Sequence, residues 1–284
     1  MKQPLWVFCF LPVLSWGQAA PKPSPYDSAH FSWRKPVPRN RLRELQPDRP
    51  GVTESPFTVD AGHGQVEMDV FRLRNSGSGN KEQSRGFYVA YTTLKLGLSR
   101  RTDVQLELPF YSVAKQRPAG ANEWKERNSG FGDMTLRLKH NFLGDNQDGS
   151  LAVAAIGYVR VPSGWANGGG GSEYGLIVPS DAELSDKANL EVQFESDLTY
   201  DRDEARRYVR LMPSVALEYD FTKKLGLITE TVAEWNTQQR RWQTSLNVAP
   251  IFKVTNNLQL DIGTHLALDR LSDHEYFVGF TLRR

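Results

Sequence analysis

Leu190-Glu191-Val192-Gln193-Phe194-Glu195-Ser196-Asp197-Leu198-Thr199-Tyr200 alternates between two kinds of side chain. Leu190, Val192, Phe194, Ser196, Leu198 and Tyr200 fall on one side, and Glu191, Gln193, Glu195, Asp197 and Thr199 on the other. Successive side chains of a strand point to opposite faces. This segment is therefore a strand with one apolar wall and one wet wall.

The same period of two runs through most of the chain from Gly64 onward. Val66, Met68 and Val70 share a face, as do Tyr88, Ala90, Thr92, Leu94, Leu96 and Leu98. Val104, Leu106, Leu108 and Phe110 oppose Asp103, Gln105 and Glu107, while Met134, Leu136, Leu138 and His140 oppose Asp133, Thr135, Arg137 and Lys139. Further alternating runs cover Val209–Tyr219, Leu225–Trp235, Trp242–Phe252, Leu258–Leu268 and Tyr276–Leu282. Leu151–Arg160 is apolar on both faces. These clear strands leave an odd total, and a short strand at Glu173–Pro179 restores an even one of about 12, as single-chain outer-membrane barrels require.

The start of the chain supports export. Lys2 precedes the apolar run Leu5–Leu14, and Gly17 and Ala19 sit where a signal peptidase reads small residues, so residues 1–19 read as a signal peptide. The run is too short for a membrane anchor helix, which needs about 20 apolar residues. Cys9, the single cysteine, lies in this leader, which excludes disulfides and thiol catalysis from the mature chain. Mean hydropathy is −0.51, so a bilayer-spanning form must be a β-barrel, in which half of each strand is polar. The expected fold is an all-β, transmembrane, antiparallel up-and-down barrel over residues 64–284, with outer-membrane lipid as its surroundings. A net charge of +2 gives no reason to expect a nucleic-acid partner.

Residues 20–63 are Pro-rich and basic, with Arg34, Lys35, Arg39, Arg41, Arg43 and Arg49 and little apolar periodicity. Two readings stand for this segment. One is an extended, partly disordered periplasmic arm. The other places its end, Asp48–Thr58 with Asp48, Arg49 and Glu54, in the barrel mouth as a plug.

Connections fall into two sets. Ser99–Thr102, Leu143–Gly149, Asp220–Lys224 and Thr255–Asn257 read as tight turns, and Leu73–Gly86 and Ser112–Ser129 as long polar loops. Short turns at one end and long loops at the other suit an outer-membrane barrel. Phe110, Phe131, Phe142, Tyr200, Tyr208, Tyr219, Trp235, Trp242 and Phe252 lie near strand ends, where amphipathic rings meet lipid headgroups.

With the apolar face on lipid, the lumen receives Lys95, Glu107, Arg137, Lys139, Glu191, Glu195, Asp197, Arg210, Glu218, Glu230, Glu234, Asp261 and His265, together with Arg160 and Lys253. Such charges either line a path for a solute or form an ion-pair network that fills the barrel, because charges off water need partners. No catalytic residue, cofactor or metal is expected. His30, His63, His140, His265 and His274 show no paired ligand spacing, and no G-x-S-x-G elbow occurs. Gly168–Gly171 is followed by Ser172-Glu173 where a phosphate loop requires Gly-Lys. Gly130-Phe131-Gly132-Asp133 precedes a strand instead of a helix, and there glycine lets the chain turn into the wall.

Several spaced fragments carry a resemblance. Asp48-Arg49-Pro50, Thr53-Glu54-Ser55-Pro56-Phe57, and Gly62 with Gln65-Val66-Glu67 open the set. Gly130-Phe131-Gly132-Asp133 with Lys139, Val161-Pro162-Ser163-Gly164 and Gly175-Leu176-Ile177-Val178-Pro179 complete it. Together they resemble a family of outer-membrane transporters named for the meta-cleavage pathway of phenol degradation. The resemblance implies passive uptake of small, often aromatic or hydrophobic compounds, with no catalytic residues to carry over. One departure concerns the barrel-assembly machinery, which reads a terminal aromatic in such barrels; this chain ends Leu282-Arg283-Arg284. The rival readings are a sealed structural or adhesive barrel and an outer-membrane hydrolase.

Overall fold

The computed structural model describes residues 31–77, 83–118, 120, 122–145, 151–164, 170–201 and 204–284; the leader expected at 1–19 lies outside them. The described strands are β1 (Gly64–Asn75), β2 (Gln83–Ser99), β3 (Thr102–Arg117), β4 (Lys125–Gly130), β5 (Met134–Leu143), β6 (Ala152–Val161) and β7 (Glu173–Ser185). They continue as β8 (Ala188–Asp201), β9 (Arg206–Asp220), β10 (Leu225–Asn236), β11 (Arg241–Thr255), β12 (Leu258–Ala267) and β13 (His274–Arg283). Neighbours pair antiparallel, and β1 pairs with β13 from Gln65↔Arg283 to Asn75↔His274, which closes the sheet.

β4 and β5 are two parts of one stave. β3 pairs with β5 from Thr102↔His140 to Glu107↔Thr135 and with β4 from Ser112↔Gly130 to Gln116↔Lys125. Counted as staves, the wall has twelve, the even number that parity demands. The strand expected at Glu173–Pro179 is present and runs on to Ser185. The long loops expected at Leu73–Gly86 and Ser112–Ser129 are shorter than read, because alternation continues into them: Leu73↔Phe87 and Val113↔Ser129 extend the ladder.

Burial is inverted relative to a water-soluble protein. Leu136, Leu138, Leu176, Phe194, Ile262 and Val278 are exposed on the outer face, while Lys139, Asp69, Asp103 and Glu230 are buried inside. An apolar surface this continuous requires lipid against it. Phe142, Tyr219, Trp242 and Phe252 are exposed near stave ends.

One side of the wall departs from regular pairing. Val70, Ala90 and Phe110 are each passed over at the same level: Asp69 and Phe71 pair with Tyr91 and Val89, which pair in turn with Pro109 and Tyr111. β1, β2 and β3 stay in register with one another across this level, and the extra residue shows against β13, where Val70 is bulged. Ala90 stands there at φ +53°. A residue skipped in this way shifts the alternation by one. Tyr88 therefore turns inward, beside Arg74, instead of sharing the outer face with Leu94 and Leu96.

The next stave is interrupted at the same height, at Phe131-Gly132-Asp133. Pro109 has no N–H to donate, and its carbonyl accepts from Gly132 N at 2.9 Å. A Cβ at Gly132 would stand 2.5 Å from Pro109 Cγ, and one at Gly164 would stand 2.2 Å from the Gly132 carbonyl carbon. Close backbone approach is what requires glycine at both positions. Among the described residues, the other edge of β4 has no strand partner. Among the described residues the wall is thus notched there, beside Phe110 and Phe131, whose rings meet edge to face at 6.2 Å.

At the same end of the barrel, the turn between β12 and β13 folds around Asp269. Its carboxylate accepts from Thr244 N at 2.6 Å, Ser272 Oγ at 2.6 Å, Leu271 N at 2.7 Å and Ser272 N at 2.9 Å. Partial burial opposes the charge, but these donors outweigh it and hold the carboxyl down at about 2. An unfolded aspartate titrates near ~3.9. The turn's stabilisation is therefore complete above that value and lost as pH falls through about 2. Asp269→Ala is expected to speed limited proteolysis of this turn at neutral pH, and the gap from the wild type should close as pH drops toward 2.

Candidate functional site

The residues between Ser32 and His63 do not form a strand of the wall. Their hydrogen bonds go instead to inward side chains on many staves. The segment is rich in proline and carries few apolar side chains, so its backbone groups must find partners among wall residues. Val59 N donates to Asp103 Oδ2 at 2.9 Å, Glu54 N to Gln193 Oε1 at 2.8 Å, and Val52 N to Glu230 Oε2 at 3.0 Å. The Thr53 and Ser214 hydroxyls meet at 2.7 Å.

Charge pairs tie the same segment from several directions. Arg49 bridges Asp69 on β1 and Asp261 on β12. Asp48 accepts from Lys139 Nζ at 2.5 Å and also pairs with Lys95, which contacts Glu67. Lys139 Nζ donates in addition to Ser55 O at 2.7 Å. Arg137 forks between Glu54 of the segment and Glu107 of β3, the latter at 2.6 Å. At the turn end, Arg43 donates to Asp60 Oδ1 at 2.8 Å, and Arg283 Nη1 reaches Asp60 Oδ2 at 3.2 Å. Buried charges persist only when paired and hydrogen-bonded, and here nearly every one is.

The structure places all thirteen lumen candidates on the inner face. Lys95, Glu107, Arg137, Lys139, Glu230 and Asp261 meet the inner segment or its immediate partners. A second cluster stands apart from it. Arg210 meets Asp197 at 2.7 Å and Glu195 and Glu234 at 3.6 Å, and Tyr158 donates to Asp197 at 2.5 Å. His265 Nδ1 lies 3.6 Å from Glu275. Glu218 lies 3.6 Å from Lys253. Glu191 is buried and has neither hydrogen bond nor ion pair among the described residues.

Sequence reading passed over Asp69, Glu67 and Asp103, which alternation alone puts on the inner face. It had no signal for Arg43, Asp60 or Arg283, since these pair across distances in the chain that no period encodes. Arg283 on the last strand holds Asp60 of the inner segment, and Arg284 N donates to Gly64 O at 2.8 Å.

Residues 47–272 match the family described as "Putative MetA-pathway of phenol degradation". The chain belongs to that family. No curated protein matches it. Among solved structures, an outer-membrane channel from Pseudomonas putida F1 is 14% identical and aligns at TM-score 0.54, covering 78% of this chain and 94% of that one. The KdgM porin in complex with disordered oligogalacturonate is 10% identical at TM-score 0.47, over 77% of this chain and 98% of the porin. The NanC porin is 13% identical at 0.47, over 75% and 98%. At 14% identity, the likeness to the Pseudomonas channel is one of fold, an outer-membrane β-barrel.

Proposed function

We propose that the chain is an outer-membrane channel for passive uptake of a small organic solute of aromatic or hydrophobic character, with no covalent step and no cofactor. The observation that carries this reading is the pairing of a charge-filled interior with a notched, aromatic-edged wall. Ion pairs and an inner segment that acts as a plug leave the lumen hostile to an apolar solute, which would strip water from buried charges. The notch beside Phe110 and Phe131 offers such a solute a path through the wall that avoids them. Outer-membrane lipid on the outer face and the barrel-assembly machinery are the partners this reading requires. The inner segment between Ser32 and His63, with Asp48–Thr58 at its centre, then acts as the plug and 64–284 as the channel wall.

A sealed structural barrel is the second reading, favoured by the density of interior pairs. Uptake by cells with their own porins deleted separates the two. Expression of the chain is expected to raise initial uptake of labelled monoaromatic compounds in proportion to external concentration. Uptake no greater than in cells without the chain, across a panel of neutral and acidic aromatics, would sink the channel reading.

A further inference from the structure

At the end of the barrel opposite the tight turns, the alternation of β2 and β3 runs on past the apolar band into charge. Arg85 shares a face with Phe87, and Lys115 and Arg117 share one with Val113. In the ladder Phe87 stands opposite Val113, Arg85 opposite Lys115, and Gln83 opposite Arg117. Tyr88 between them points inward, so this row faces outward, in line with Val89 and Tyr111, which are exposed on the lipid side. At about 3.4 Å per residue, Arg85 and Lys115 lie roughly 7 Å beyond the last apolar pair, and Arg117 about 14 Å. That is the height of lipid headgroups.

Trp124, just before β4, gathers two of these cations. The Arg85 guanidinium lies 4.8 Å from the centre of its ring and that of Arg117 lies 5.0 Å from it. Arg85 Nε also donates to Asn75 Oδ1 at 2.9 Å. Lys115 faces Arg85 directly across the strands, where like charges work against a sheet. Among the described residues, none of Arg85, Lys115 and Arg117 forms an ion pair. Glu126, opposite Lys115 on β4, accepts from Ser129 Oγ at 2.7 Å instead. In plain water three such cations would be hydrated and nothing more. Here a ring fixes two of them beside the third, at a height where anionic headgroups are their neighbours.

We propose that Arg85, Lys115 and Arg117, seated around Trp124, bind the phosphate groups of lipopolysaccharide in the outer leaflet. Tight turns of an outer-membrane barrel face the periplasm, so this end faces outward. The lipid of that leaflet carries phosphates on a sugar head directly above its acyl chains. Guanidinium forks match phosphate oxygens in pairs, and the lysine adds a point charge between them. The acyl chains then lie on Phe87, Val113, Val89 and Tyr111 below. A lipid held there covers the wall beside β4, whose other edge has no strand partner among the described residues. The site rests on the outer-membrane placement of the barrel and does not depend on the solute path.

Titration of the full mature chain in detergent with fluorescently labelled lipopolysaccharide tests the site. The wild type is expected to bind saturably, and Arg85→Gln/Lys115→Gln/Arg117→Gln about a hundredfold more weakly, each cation near an anionic lipid surface contributing a factor of about five. Lipopolysaccharide stripped of its phosphates should bind wild type and variant alike, at the variant's lower affinity. Lys223→Gln/Lys224→Gln, exposed in the turn at the opposite end, should bind as the wild type does. Should the triple variant not fold, Lys115→Gln/Arg117→Gln, which keeps Arg85 and its bond to Asn75, must still lose more than tenfold. Equal binding by wild type and variant, or an equal loss in the Lys223/Lys224 variant, would overturn the proposal. So would displacement by phosphatidylglycerol at the same concentration as by unlabelled lipopolysaccharide.

Discussion

Arg49→Ala is expected to lower the stability of the barrel by about 3–5 kcal/mol, the cost of removing one partner from a buried ion pair. Arg49 sits between Asp69 and Asp261, and both carboxylates are almost fully buried. Asp69 keeps a second cation, since Arg72 lies 2.7 Å from it. Asp261 has no other ion pair among the described residues and would be left as a bare charge inside the wall. The penalty therefore falls on Asp261, and Arg49→Leu/Asp261→Asn should recover a large part of it. Urea titration of the three proteins, followed by tryptophan fluorescence, measures both effects. A single variant within experimental error of the wild type would mean that water reaches Asp261 and that the inner segment is not packed against β12.

The second large effect is electrical. Deleting residues 32–59 removes Asp48, Arg49 and Glu54, and with them the segment that occupies the lumen. The wall would still hold ion pairs of its own, among them Arg137–Glu107, Lys95–Glu67 and Arg210–Asp197. What opens is a polar, water-filled space, and single-channel conductance in planar bilayers should rise by about an order of magnitude, toward that of an open barrel. Unchanged conductance after the deletion would show that the loops at the opposite end, and not the inner segment, close the lumen.

Much of the fold was legible because one physical rule governs it. Lipid on one side and a polar interior on the other force a period of two, so Leu190–Tyr200 announces both its strand and its orientation. Parity alone then demanded a strand at Glu173, which the structure contains. The rule fails where a single residue is inserted. Ala90 reads as one more member of the series Tyr88 to Leu98, and only its φ of +53° reveals the break in alternation that sends Tyr88 inward.

The interior was half legible. Alternation sends Arg137 and Glu195 to the same space but is silent on who meets whom. Arg137 pairs with Glu107 and with Glu54, 83 residues away, while Arg210 takes Asp197 and Glu195. Glu191, from the same strand, meets neither arginine. Alternation cannot reach the inner segment at all, since Pro47, Pro50 and Pro56 remove both the period and the backbone donors that would mark a strand.

The central claim is that an apolar solute passes through the notched wall while the inner segment stays in place. Thr53 and Ser214 allow a direct measurement, because their hydroxyls meet at 2.7 Å and a cysteine at each position can form a disulfide from the inner segment to β9. The measurement is influx of a neutral aromatic compound into outer-membrane vesicles bearing Thr53→Cys/Ser214→Cys, with the bridge oxidised and then reduced. The expected result is the same concentration-proportional rate in both states, well above vesicles without the protein. Influx that stops on oxidation and returns on reduction would contradict it, and would place the path through the lumen.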